Sequence, residues 1–236
     1  MTSLILSVIG SVAGGLILVI FMSLISQRAR WVLTGILGRL LDVDIEFVFS
    51  NKAESLPDLK AEIARARQVA ILTGRGNELQ RETFSPLFLD RPDNKNVVIR
   101  ILLPETAPSP NQPNWTNQRE RELAAFDHAY GNGLLVQLIE ANAQFLANHA
   151  ARGLLTLRRY NSPHIGRLVI TERFAYYTPY RNDCHGRDSC VYKFRRGGEM
   201  YDNLGRLFDQ LWLAPAEQLP GPEGSKAAAR VGLSAS

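Results

Sequence analysis

The chain has 236 residues, with 27 Lys and Arg against 23 Asp and Glu, for a formal net charge of +4. That length suits one globular domain with appendages or two small domains, and the 45% of hydrophobic residues excludes a chain too polar to build a core. The basic excess is too thin for a dedicated nucleic-acid binder, but it favours an anionic partner: a membrane surface, a phosphorylated small molecule or nucleic acid.

Residues 3–25, SLILSVIGSVAGGLILVIFMSLI, carry no charged side chain. At about 1.5 Å per residue such a helix crosses the roughly 30 Å bilayer core. No Lys or Arg precedes the run and no A-x-A site follows it, which argues against a cleaved signal peptide. Arg28, Arg30 and Arg39 lie after it, so the positive-inside rule puts the bulk of the chain in the cytoplasm, on the inner (plasma) membrane, with Trp31 at the interface. Gly10 and Gly14 form a G-x-x-x-G face of the kind that brings two membrane helices together, which points to a homodimer. The expected organisation is a transmembrane helix over 1–27, a juxtamembrane helix or linker over 28–44, an α/β domain over 45–213 and a disordered tail over 214–236.

Within the domain, IEFVFS at 45–50 reads as a strand and SLPDLKAEIARAR at 55–67 as an amphipathic helix. VAILTG at 69–74 and VVIRILLP at 97–104 are apolar runs of the kind buried on both faces, with a helix expected between them at 77–88. Strand and helix alternating at this spacing predict βαβ units and a mostly parallel, mixed sheet flanked by helices. A Pro- and Asn-rich loop at 105–118 precedes a helical stretch broken at Gly131 and Gly133. LLTLRRY, RLVITER, FAYYTPY and VYKFRR then read as strands, and MYDNLGRLFDQLWL as a final amphipathic helix.

Two places hold candidate chemistry. In TGRGNE, at the end of an apolar strand, Gly74 and Gly76 permit close backbone approach, and N–H groups at a helix start attract anions. Asn77 suits an N-cap there, and Arg75 can turn into the crevice at the strand ends, where open α/β sheets bind ligands. In PHIGRLVITE, Arg167 is a cation at the mouth of an apolar strand, which needs solvent or an anion, and His164 stands three residues before it. Arginines at 158, 159, 181, 187, 195 and 196 cluster on the strand set, and alternation should split 158/159 and 195/196 between its faces. Cys184 and Cys190 are expected as reduced thiols in the cytosol. No metal set and no cofactor motif is read.

VAILTGRGNELQ, VVIRILLPE and the hairpin RLVITERFAYYTPY resemble, in that order, one half of the phospholipase D superfamily, over residues 45–213. That family's signature is H-x-K-x-x-x-x-D, in which the resemblance implies a nucleophilic His, a cation for the phosphoryl oxygens and an orienting acid. Here the pattern is H-x-x-R-x-x-x-x-E, so His164, Arg167 and Glu172 stand for the catalytic set. The His lies one residue early, a position that a bulge at Gly166 could correct. The expectation is a degenerate, membrane-anchored member that binds a phosphate-bearing ligand or anionic lipid through Gly74, Arg75, Gly76, Asn77 and Arg167. The alternatives are a homodimeric phosphodiesterase of phospholipase or nuclease type using His164, and a scaffold component of a membrane assembly. Nucleic acid is a less favoured partner.

Overall fold

The structure is a computed structural model, which describes residues 2–25, 36, 38, 44–88 and 97–214. The expected juxtamembrane element and the tail lie outside the described residues, apart from isolated positions. Helix α1 covers Thr2–Ile25. Its side chains are described over residues 10–21, all exposed. Among the described residues no helix is long and apolar enough to cross a membrane. The structure does not support the membrane span expected over 3–25.

The domain begins with β1 (Ile45–Phe49) and α2 (Lys52–Arg65). Asn51 caps α2 by accepting a hydrogen bond from the Glu54 N–H at 3.1 Å. The helix starts before the expected Ser55, so Pro57 falls inside it, past the first turn, where it removes one intrahelical N–H donor. Then follow β2 (Gln68–Leu72), α3 (Ser85–Phe88), β3 (Val98–Pro104), α4 (Trp115–Ala124), α5 (Leu134–Ala151), β4 (Thr156–Tyr160), β5 (Gly166–Thr171), β6 (Phe174–Pro179), β7 (Val191–Arg195) and α6 (Glu199–Leu213).

Seven strands form one sheet in the order β1-β7-β6-β5-β2-β3-β4. The sheet is mixed and flanked by helices, as expected, but it is not mostly parallel. Only β2–β3 and β3–β4 pair in parallel, while β2–β5, β5–β6, β6–β7 and β1–β7 are antiparallel. The reason lies late in the chain. The β5–β6 hairpin and β7 insert between β1 and β2, so the first two strands never become neighbours.

Alternation along each strand feeds two cores. Val69, Ile71, Ile101 and Val169 point to the layer that contains Leu59 and Ile63 of α2 and Leu146 of α5. Ala70, Leu72, Leu102 and Leu168 point to Leu204, Phe208 and Trp212 of α6. The helix expected over 77–88 is replaced by two 3-10 turns, Asn77–Gln80 and Glu82–Phe84, leading into α3. Gly76 opens this stretch in the left-handed region at φ 80°, with no side-chain cap. Glu78 and Leu79 are adjacent and both buried, and the tight turn sends them to different surroundings: the leucine joins the α2 core, the carboxylate meets the polar end of the sheet.

Candidate functional site

The ends of β1, β2, β3, β4 and β6 and the start of β5 lie along one margin of the sheet, and the chain concentrates cations there. Arg167 is the second residue of β5, paired in register with Thr178 of β6. It is 2% exposed. Its Nη2 donates to the Thr178 hydroxyl at 3.2 Å, whereas Nε and Nη1 have no hydrogen-bond partner. The Glu78 carboxylate stands 3.9 Å from Nη1, near enough to balance charge and too far to accept a hydrogen bond. A buried guanidinium with unmade bonds costs stability, because every donor has lost water.

Glu78 is the counter-charge. The Thr73 hydroxyl donates to it at 2.9 Å and the Lys52 ammonium lies 3.6 Å away. Burial pushes the carboxyl up, but Lys52, Arg167 and Thr73 outweigh it and hold its pKa at about 2. For Lys52, burial lowers the ammonium to about 8, with Glu78 opposing and Arg167, Arg81 and Arg75 adding to the drop. One carboxylate is thus asked to serve several cations.

These groups line a cleft of about 280 Å³, to which Lys52, Arg75, Arg81, Arg119, Arg167 and Arg187 bring six cations and Glu78 one acid. His164 also lines it. Burial lowers the imidazole to about 4, Arg119 adding and Glu122 opposing, so the ring is neutral near pH 7. Arg75 donates to the Tyr130 hydroxyl and its guanidinium lies 5.9 Å from that ring. The loop between β6 and β7 closes one side with His185 and Arg187, and His185 Nε2 lies 3.1 Å from Asp127.

The residues expected at the site divide sharply. Gly74, Arg75, Asn77, His164 and Arg167 come together at the cleft, although 87 or more residues of sequence separate the first three from the last two. Gly76 stands behind them and serves the turn. The loop amides are not an open anion cradle. Gly74 N–H donates to the Tyr180 hydroxyl at 3.0 Å and Gly76 N–H to Thr73 at 3.3 Å. A Cβ at Gly74 would stand 2.8 Å from the Tyr180 ring, so glycine is required by this tyrosine rather than by a phosphate. Asn77 does not cap a helix, since Gly76 holds that position.

Glu172 is not part of the site. Its carboxylate accepts from the N–H groups of Arg67 at 3.0 Å and Gln68 at 3.3 Å, at the start of β2. No bulge occurs at Gly166 either: β5 and β6 pair without interruption from Gly166↔Pro179 to Ile170↔Ala175. His164 reaches the cleft because it precedes the strand, where alternation does not apply. The adjacent arginines 158 and 159 do split. Arg158 lies 4.8 Å over the Trp212 ring on the α6 side, and Arg159 donates to the Pro104 carbonyl at 2.9 Å and to Glu140 at 2.8 Å. Cys184 and Cys190 are free thiols, and among the described residues no group of three His, Cys, Asp or Glu could hold a metal ion.

Sequence reasoning missed Lys52, Glu78, Arg81, Arg119 and Tyr180 as members of the site, and named Arg187 only within the wider arginine cluster. Glu78 had a usable signal, an acid directly after a G-x-G turn at the end of a buried strand; the others had none.

No family model and no curated protein matches the chain. Among solved structures, it is similar to TrmBL2, an archaeal chromatin protein described as showing a novel mode of DNA binding, at 14% identity and a TM-score of 0.44, over 82% of this chain and 62% of that one. It is also similar to phosphatidylserine synthase from Haemophilus influenzae Rd KW20, at 12% identity and a TM-score of 0.44, over 79% of this chain and 46% of that one. The chain covers less than two thirds of either.

Proposed function

We propose that this chain is a membrane-anchored, phospholipase D-like module whose cleft binds a phosphate-bearing ligand and whose catalytic signature is degenerate. One observation carries the reading: Arg167 is buried with two nitrogens unpartnered, in a cleft lined by six cations and a single carboxylate. Among the described residues, only Arg119 and Arg187 of the six pair with acids outside that lining, Glu122 and Asp188. An oxyanion is the group that would satisfy such a set, since it offers several acceptors and a compensating charge. The anchor rests on the uncharged run at 3–25 with Arg28 and Arg30 after it, an arrangement that would put the domain in the cytoplasm. Pairing through Gly10 and Gly14 would make the assembly a homodimer.

The test is calorimetric titration of the full chain in detergent with inorganic phosphate. Arg167→Gln should lower the affinity at least about tenfold while the circular dichroism stays unchanged. If wild-type protein takes up no phosphate, the reading fails.

The alternative is a phosphodiesterase, favoured by one observation: His164 is held neutral in the same cleft as Arg167. Against it, Glu172 serves the start of β2, and among the described residues no carboxylate hydrogen-bonds the His164 ring. A phosphodiester-hydrolysing activity abolished by His164→Ala, with folding intact, would establish the enzyme; an activity indifferent to that change would exclude it.

A further inference from the structure

Beside the cationic cleft lies a second lobe of about 220 Å³, and the two share the wall formed by Arg119, His164 and Tyr180. Their chemistry differs. On the far side of that wall stand Trp115, Pro163 and Ile165, with Ile165 49% exposed, so the lobe's outer side is apolar where the cleft is charged. The charge of Arg119 is balanced here, because its Nη1 bonds to Glu122 at 2.8 Å. This lobe therefore offers nothing to a second phosphate.

The shared wall is built of planar groups: the Arg119 guanidinium lies 5.4 Å over the Tyr180 ring, and the His164 ring, backed by Tyr160 at 5.9 Å, is tilted by 51° to it. Two amides complete the lobe. Gln118 uses its NH2 towards Glu122 at 3.5 Å, and Asn182 uses its oxygen for Arg119 at 3.4 Å, which leaves one amide acceptor and one amide donor without a protein partner among the described residues. An acyl chain would need a uniformly apolar lining. Planar side chains (Trp115, Arg119, His164 and Tyr180) with an amide donor and acceptor at the margin suit a ring with heteroatoms on its edge.

We infer that the cleft takes a phosphate ester whose substituent is a planar heteroaromatic group, with the phosphate at Arg167 and the ring in the lobe lined by Trp115, Pro163 and Ile165. This rests on the phosphate-binding reading above. The shared wall places the two groups next to each other, so the ligand is small, of the size of a nucleoside monophosphate.

Three probes titrated into the full chain separate the two ideas: inorganic phosphate, glycerol phosphate and adenosine monophosphate. The nucleotide should bind about tenfold or more tighter than glycerol phosphate, as a single stacked base gives. Trp115→Ala should remove that gain and leave inorganic phosphate unchanged, while Arg167→Gln weakens all three. Ile165→Asp, at an exposed position, should also remove the gain and guards against a folding defect in the tryptophan variant. Equal affinity for nucleotide and glycerol phosphate, or a gain that survives both lobe variants, would overturn the inference and leave the phosphate site standing. No binding of any probe would overturn both.

Discussion

The two ends of β5 form a contrast within one six-residue strand. At its far end Glu172 receives backbone N–H groups, and next to it the Thr171 hydroxyl donates to Glu62 at 2.8 Å while Arg173 bonds the same carboxylate through Nε at 3.2 Å. At its near end Arg167 has one bond made and two nitrogens bare. Both ends are charged and partly or wholly buried, so charge alone does not mark a site. What separates them is whether the local structure finishes the hydrogen bonding. A completed network stabilises; an uncompleted one is held in place by the fold at a cost.

The largest expected effect breaks the near end. Glu78→Ala removes the carboxylate that Lys52 and Arg167 share and should cost about 3–5 kcal/mol in a denaturant titration, because buried cations are left uncompensated. Added phosphate should stabilise this variant more than wild type; equal stabilisation would mean that the anion binds elsewhere. In wild type, Glu78 has a depressed pKa, so its contribution is present above pH 4.5 and is lost as pH falls towards about 2. Glu78→Gln should flatten that part of the pH–stability curve.

A smaller effect concerns Lys52. Its pKa of about 8 lies below the ordinary 10.5, so in the folded, empty protein it loses its proton as pH rises through 8. Phosphate binding would draw that proton back. Affinity for phosphate should therefore fall above pH 8, by at most about tenfold per pH unit, where the ligand's own charge is constant. Lys52→Arg should remove the slope, since guanidinium stays charged. A slope that persists in the arginine variant would assign the proton to another group.

The smallest effect belongs to the far end. Glu172→Ala should cost about 1 kcal/mol, discounted because the carboxylate is partly exposed, and should leave phosphate affinity unchanged. Weaker phosphate binding in this variant would tie the two ends together and erase the contrast.

Glu172 shows why a motif read along the chain misleads. Five residues separate it from Arg167, and at about 3.3 Å per residue in an extended strand that is roughly 16 Å. A strand that straight cannot bring both to one cleft. His164 shows the reverse: its spacing looked wrong by one residue, yet the loop before β5 delivers it to the cleft, because only residues inside the ladder obey alternation. Gly74, Arg75, Asn77 and Arg167 were legible because each stands where an apolar strand meets polar sequence. Lys52, Arg119 and Arg187 were not: one starts α2, one lies midway along α4 and one sits in the loop between β6 and β7, so no single local pattern groups them.

By itself, the amino-acid sequence determined the alternation that feeds two cores, most of the strands, the break between α4 and α5 and the amphipathic last helix. These follow from short-range rules of chain geometry and from the cost of exposing apolar surface. Tertiary structure decided how the strands pair, because inserting β5, β6 and β7 between β1 and β2 is a choice among long-range pairings that local pattern does not encode. It also decided which cations are satisfied. Arg167 has neighbours from positions 52, 78 and 178, and whether a buried charge is complete depends on where those distant groups stop short of it.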